Sequence, residues 1–224
     1  MKKRSRGVAI IEFAFIVLVL VPLLLGTAEM GINMVSALQT IQLARDAGHM
    51  YARGVDFTQL GNDQILASIG SGIGMSATTG AGSGTALVIL TQVKYVDSAA
   101  CISYGLPTDL FGNPIGCTNL GQWVFAQRIV IGNTSMGTSN FGSPLTSGPN
   151  GVTIASNGTI SQSDQITNSG DQATFSGINP YQVVSGVVSG LPSGQSLYIA
   201  EAEAQGFKMH PWASNPVSYS FGIF

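Results

Sequence analysis

Residues 8–28 read VAIIEFAFIVLVLVPLLLGTA, 21 residues in which Glu12 is the only charge. At helical rise they span about 31 Å, the thickness of a bilayer's hydrocarbon core. A segment of this length and composition predicts a membrane-spanning helix from which the rest of the chain hangs. Ahead of it stand Lys2, Lys3, Arg4 and Arg6, four of the nine basic residues. Cations on that flank hold the N-terminus on the cytoplasmic side and send the remainder across. An acid inside a bilayer costs roughly 2.5–3.5 kcal/mol on insertion scales, which makes Glu12 a candidate functional residue. Pro22 lies inside the run and predicts a kink, a feature that membrane helices tolerate.

The helical pattern continues past the apolar run. Met30, Met34, Leu38 and Ile41 recur at three- and four-residue spacing among Asn33, Ser36, Gln39 and Gln42. This stripe predicts packing, for the most part against the protein's own head, without excluding a second helix. Ala44, Gly48 and Ala52 place small residues at every fourth position, which permits close approach of a helix or a sheet. Arg53-Gly54 supplies a stop, a cation in the last turn with glycine beyond it. A helix from Val8 to Arg53 would be about 69 Å long, more than a simple anchor needs.

Arg6-Gly7-Val8-Ala9-Ile10-Ile11-Glu12-Phe13-Ala14, then Pro22-Leu23-Leu24-Leu25-Gly26 and Glu29-Met30-Gly31, resemble the N-terminus of TadE-like minor pseudopilins of the tight-adherence (Tad) pilus. The resemblance covers residues 4–53, under a quarter of the chain. It departs from the type II secretion pattern, in which phenylalanine follows the cleaved glycine. It departs as well from the very short major pilins, because a long segment follows the helix. The resemblance implies cleavage by prepilin peptidase between Gly7 and Val8, with the inner membrane and other pilins or pseudopilins as partners. The protein would be a single-pass component of the bacterial inner membrane, its N-terminus cytoplasmic and its head exported, and extracellular once assembled. Cleavage would remove all four leader cations and create an α-amine at Val8. Glu12 would then pair with that ammonium, in the same or a neighbouring subunit, as an assembly contact.

The same residues also fit a secretory signal peptide, with Gly26-Thr27-Ala28 as its cleavage site. The product would be a secreted or signal-anchored β-rich binding domain beginning at Glu29. Glu12 at the start of the apolar run and the helical continuation to Ala44 stand against that alternative.

The remainder predicts three segments: a leader over 1–7, a helix over 8–54 and an exported head over 55–224. Asp56 is a candidate N-cap for a short helix over Phe57–Ile69. Residues 70–84 read as a flexible linker whose glycines match neither GxGxxG nor a Walker motif. Strands are expected at Thr85–Val96, at Gln122–Ile131 (with Trp123, Phe125, Ile129 and Ile131 on one face) and at Leu197–Ala204. Val152–Ser156 and Thr159–Ser163 flank Asn157-Gly158 as a hairpin. Val217, Tyr219, Phe221 and Ile223 alternate with Ser218, Ser220 and Gly222 as a terminal, half-buried strand. The fold class is α+β, a long N-terminal membrane-spanning helix followed by a mostly antiparallel sheet, in an order the sequence does not disclose.

Composition narrows the chemistry. Only 9% of the 224 residues are charged and the net charge is -2, so no basic surface outside the leader offers a nucleic-acid site. The 29 glycines point to turns and short strands. Cys101 and Cys117 suit a disulfide in an exported domain better than two partly buried thiols, at a stabilisation of roughly 3 kcal/mol. His49 falls on the helix and His210 precedes Pro211, with no GxSxG elbow to complete a triad. Glu201 and Glu203 share a strand face, where solvated acids are the default over a catalytic pair. Trp123 and Trp212 are expected in packing rather than in carbohydrate contacts. No metal-ligand spacing or cofactor motif stands out, and the expectation is a structural, non-enzymatic component.

Overall fold

The computed structural model describes residues 6–59, 61–174, 182–184, 187–189, 194–208 and 215–224, with the backbone alone for 6–9, 182–184 and 187–189. Expectations placed on Lys2, Lys3, Arg4, His210 and Trp212 lie outside the described residues. One helix, α1 (Arg6–Ala52), runs unbroken for 47 residues through Pro22. It ends where Arg53-Gly54 predicts. Gly54 takes φ 84°, its N–H donates to Tyr51 O at 2.9 Å, and Val55 N–H donates to Met50 O at 3.0 Å. That pair of bonds closes the last turn around a left-handed residue, which glycine adopts without steric cost.

The head is a four-stranded antiparallel sheet in the order β2–β1–β5–β6, built from β1 (Ala86–Tyr95), β2 (Trp123–Gly132), β5 (Ser196–Gln205) and β6 (Val217–Ile223). Two short strands, β3 (Gln182–Val184) and β4 (Val187–Ser189), pair with each other alone. The second half of α1 lies across one face of the sheet. Leu43, Ala44, Ala47 and Tyr51 pack there on Val88, Leu90, Ile129, Ile131, Ala200, Ala202 and Ala204. Residues 133–174 cover the opposite face, where Phe141, Val152 and Ile160 meet Val93, Trp123, Phe125 and Ile199.

Several elements differ from the sequence expectation for identifiable reasons. The short helix α2 (Asn62–Ile69) begins five residues after Phe57. Gly61 at φ 103° blocks an earlier start, and Asp56 instead accepts from Thr58 N and Oγ1 in a local turn. Residues 70–84 are no loose linker: Ile73 and Met75 are buried, and Met75 bridges to Gly84. Gly70 lets that segment approach the core, since a Cβ there would overlap Met75 and crowd Leu43. The register shift opposite Gln92/Val93 inserts an extra residue in β2. This bulge puts Trp123 and Phe125 on the loop side and Ile129 and Ile131 on the helix side, rather than all four together.

Asn157-Gly158 does form a turn, with Gly158 at φ 76°. Only single bridges flank it, Ile154 to Ile160 and Thr159 to Gln127 on the edge of β2. Ser161 then caps a helix, α4 (Gln162–Thr167), by accepting from Asp164 N–H. Asp97 likewise caps α3 (Ser98–Ser103) inside the cysteine-bearing loop.

Candidate functional site

The helix α1 has two surroundings. From Ile10 to Ala28 every side chain is exposed, Glu12 included, and the segment is long and apolar enough to cross a membrane. The head grips it at Asn33. There the side-chain amide donates to Phe207 O at 3.0 Å and accepts from Phe207 N–H at 2.8 Å, a two-pronged clasp on the end of β5.

Beyond this clasp the buried face is Thr40, Leu43, Ala44, Ala47, Gly48 and Tyr51. Thr40 satisfies its hydroxyl on Ser36 O at 2.9 Å, and Tyr51 donates to Gln127 Oε1 at 2.9 Å. A Cβ at Gly48 would overlap the Phe224 ring, which lies at 4.6 Å from His49.

The expected packing stripe is therefore on the wrong side. Met30, Met34, Leu38 and Ile41 face outward, exposed by 77%, 69%, 54% and 43%. The cause is the sheet surface beneath the helix. Alternation in β5 and β6 turns Ala200, Ala202, Ala204, Ser218, Ser220 and Gly222 toward α1. Small residues on the sheet admit a helix whose own small residues face them, and long side chains would hold the two apart. The head thus takes the Ala44/Gly48 face, as the small-residue spacing allows, and leaves the bulky stripe bare. Glu12 and Met30 are eighteen residues apart, five turns at 3.6 residues per turn, so Glu12 shares the side of that stripe.

On the opposite side of the sheet the two acids of β5 differ, Glu201 buried and Glu203 half-buried. Glu201 is 1% exposed. It accepts from Ser139 Oγ, from Asn140 N–H at 2.9 Å and from Tyr219 Oη at 2.7 Å. Nearby, the buried Arg128 guanidinium donates to Thr91 Oγ1 (3.2 Å), Gly142 O (3.0 Å) and Ser143 Oγ (3.2 Å). Burial lowers the Arg128 pKa, and the Glu201 charge opposes that shift. Burial and the bond to Glu201 raise the Tyr219 phenol. These contacts fasten residues 139–143 onto the sheet and engage both Glu201 oxygens with the chain's own donors. Glu203 is half-buried beside Gly137, and burial followed by the Glu201 charge raises its pKa. Strand alternation places both acids on one face, but the irregular loop that covers them has no periodicity from which to read its position.

Beyond the other end of β1 and β5 from the Asn33 clasp, Cys101 and Cys117 are joined in a disulfide. The loop they enclose presents Leu110 and Phe111 to solvent on a turn held by Asp109, which accepts from Phe111 N–H and Asn113 N–H at 2.8 Å each. Beside it a cleft of about 520 Å³ is lined by Lys94, Tyr95, Ser103, Gln162, Gln165 and Ile166. Trp123 is buried at this end with its ring 5.5 Å from Tyr95, in the packing role expected of it.

Against this geometry, the family model described as TadE-like protein matches residues 7–49, a span that lies wholly within α1. No curated protein and no solved structure matches the chain.

Proposed function

We propose that the chain is a structural component of a Tad-type pilus assembly system, a minor pseudopilin whose exported head rides on an assembly helix. The observation that carries this reading is that the matched segment lies within one helix whose apolar surface the head leaves largely uncovered. The TadE-like match spans residues 7–49, and within that same helix the head clasps only one face from Asn33 onward. Residues 10–28 and the outward stripe of Met30, Met34, Leu38 and Ile41 remain apolar and uncovered by the head. Exposed apolar surface on such a scale calls for lipid before assembly and for neighbouring helices after it.

On this reading residues 1–7 are a leader removed by prepilin peptidase between Gly7 and Val8, residues 8–54 are the assembly helix and 55–224 the exported head. The precursor sits in the inner membrane with its N-terminus cytoplasmic. Four leader cations cannot enter an apolar helix bundle, so their removal converts an anchored precursor into a subunit. The new Val8 ammonium supplies a partner for Glu12, and a paired carboxylate is tolerated where a lone one is not. Pro22 would kink the helix within its membrane half. Other pilins or pseudopilins are the partners of the helix, and the disulfide lobe lies beyond the other end of β1 and β5 from the clasp.

Replacing Gly7 by leucine tests the processing step. The expected result is a full-length precursor retained in the membrane and absent from pili. Normal maturation and piliation in that variant would contradict the proposal.

A further inference from the structure

Asp171 closes the 3-10 turn Ser169–Asp171 that follows α4. Its side chain is 0% exposed, and neither carboxylate oxygen has a hydrogen-bond partner. These are the only fully buried side-chain polar atoms without a partner among the described residues. The contrast with Glu201 is direct, since that buried acid has three donors. A buried carboxylate left without donors is unfavourable unless something else meets its charge.

Asp164, on α4, is the charge that acts on Asp171, and it has the same sign. The Asp164 carboxylate is itself held in place, accepting from Ser161 Oγ at 2.9 Å and from Asn168 Nδ2 at 3.2 Å. At the carboxyl end of α4 the backbone oxygens of Asp164, Gln165 and Asn168 converge on one group, the buried Asn119 amide, at 3.4, 3.0 and 2.8 Å. Helix carbonyls that point together carry partial negative charge, and the Asn119 NH₂ answers only part of it. Burial and the Asp164 charge push the Asp171 carboxyl up to about 8 with no cation beside it.

We infer that Asp171, with Asp164 and neighbouring oxygens, forms a site for one calcium ion. Only oxygen ligands are at hand, because residues 150–174 contain neither His nor Cys and the adjacent Cys117 is tied up in its disulfide with Cys101. That excludes the nitrogen and sulfur sets that zinc prefers. Magnesium keeps several of its waters, which a carboxylate with no solvent exposure cannot accommodate, whereas calcium accepts an irregular shell of protein oxygens. Its structural effect follows from the connections around it. Gln172 Nε2 donates to Asn119 Oδ1 at 3.0 Å, and Asn119 lies two residues from Cys117. A cation at Asp171 would therefore fix the end of α4 to the base of the disulfide lobe. The inference does not depend on the pilus reading.

The test uses the full chain in detergent micelles, stripped with a chelator and then titrated with calcium chloride. One calcium per chain is expected to bind saturably, with extracellular-type affinity near about 1 mM or tighter. At ten times the dissociation constant the folding equilibrium should rise about 11-fold, read as a higher melting temperature of the head. Asp171→Asn keeps shape and removes the charge. It should fold in chelator at least as well as the parent chain and show no calcium response, and Asp164→Asn should bind more weakly. An unchanged parent melting curve up to about 10 mM calcium would overturn the site and leave a protonated carboxyl as the way the burial is met. An undiminished calcium response in Asp171→Asn, or an equal response of the parent chain to magnesium, would overturn it as well.

Discussion

The two halves of α1 are one continuous helix with opposite relations to their own side chains. In the first half, from Ile10 to Ala28, the surface is apolar but for Glu12 and exposed throughout. In the second half, Asn33 to Ala52, the helix is amphipathic in an unexpected sense. The face it buries sets Ala44, Ala47 and Gly48 among Thr40, Leu43 and Tyr51, and the face it exposes holds Met34, Leu38 and Ile41. In an ordinary surface helix the larger apolar residues would face the core. The difference teaches that burial here is decided by how closely the Ala44, Ala47 and Gly48 strip can approach the sheet, with Leu43 and Tyr51 filling the space beside it. The alanines of β5 and the serines and glycine of β6 select the small face of α1, and the bulky face is left for other surroundings.

Ala44→Leu should break the clad half most severely. Extra methylenes against a flat alanine surface force the helix and sheet apart, and a loss of about 1–3 kcal/mol is expected in the head's thermal unfolding. The matching change in the bare half, Ala14→Leu, should leave that melting curve unmoved. Next in size is Asn33→Ala, which removes both prongs of the clasp on Phe207. Because the bonds are exposed, a loss of about 1 kcal/mol is expected. It should appear as earlier amide exchange at 205–207 than elsewhere in β5. Met34→Ser with Leu38→Ser, on the outward stripe, should shift stability by no more than about 0.5 kcal/mol. The same pair should nonetheless reduce subunit-to-subunit cross-linking in pili, the outcome that separates an assembly face from inert surface.

The smallest effect lies across the sheet. Glu203 has a folded pKa raised above its ordinary 4.5, so the folded state holds its proton more tightly than the unfolded chain. The resulting stabilisation is complete below 4.5 and is lost as pH climbs through the raised value. Melting temperatures taken across that window should fall for the parent chain relative to Glu203→Gln, and parallel curves would refute the sign.

Much of this was legible from residue order. The apolar run, the stop at Arg53-Gly54, the four main strands and the Cys101–Cys117 bond follow from period, length and compartment. The inward face of α1 was legible only in part. Ala44 and Gly48 announce a close contact, yet hydrophobic weight draws attention to Met30, Met34, Leu38 and Ile41 instead. Which stripe wins depends on the partner surface, and β5 and β6 lie more than a hundred residues away. The β2 bulge hides for a similar reason, since an unbroken alternation from Trp123 to Ile131 carries no mark of the extra residue. The covering layer over 133–174 has no period at all. Its position is set by side-chain clamps such as Glu201 on Ser139 and Asn140, and by Asn119 under α4.

Processing at Gly7 underlies the proposed division of labour between the halves, because only a chain freed of its leader cations can bury the bare half among neighbours. Intact-mass and N-terminal peptide measurement of the mature protein tests it most directly. The account predicts Val8 as the first residue, whereas a protein beginning at Glu29 would contradict it and identify the apolar run as a discarded signal.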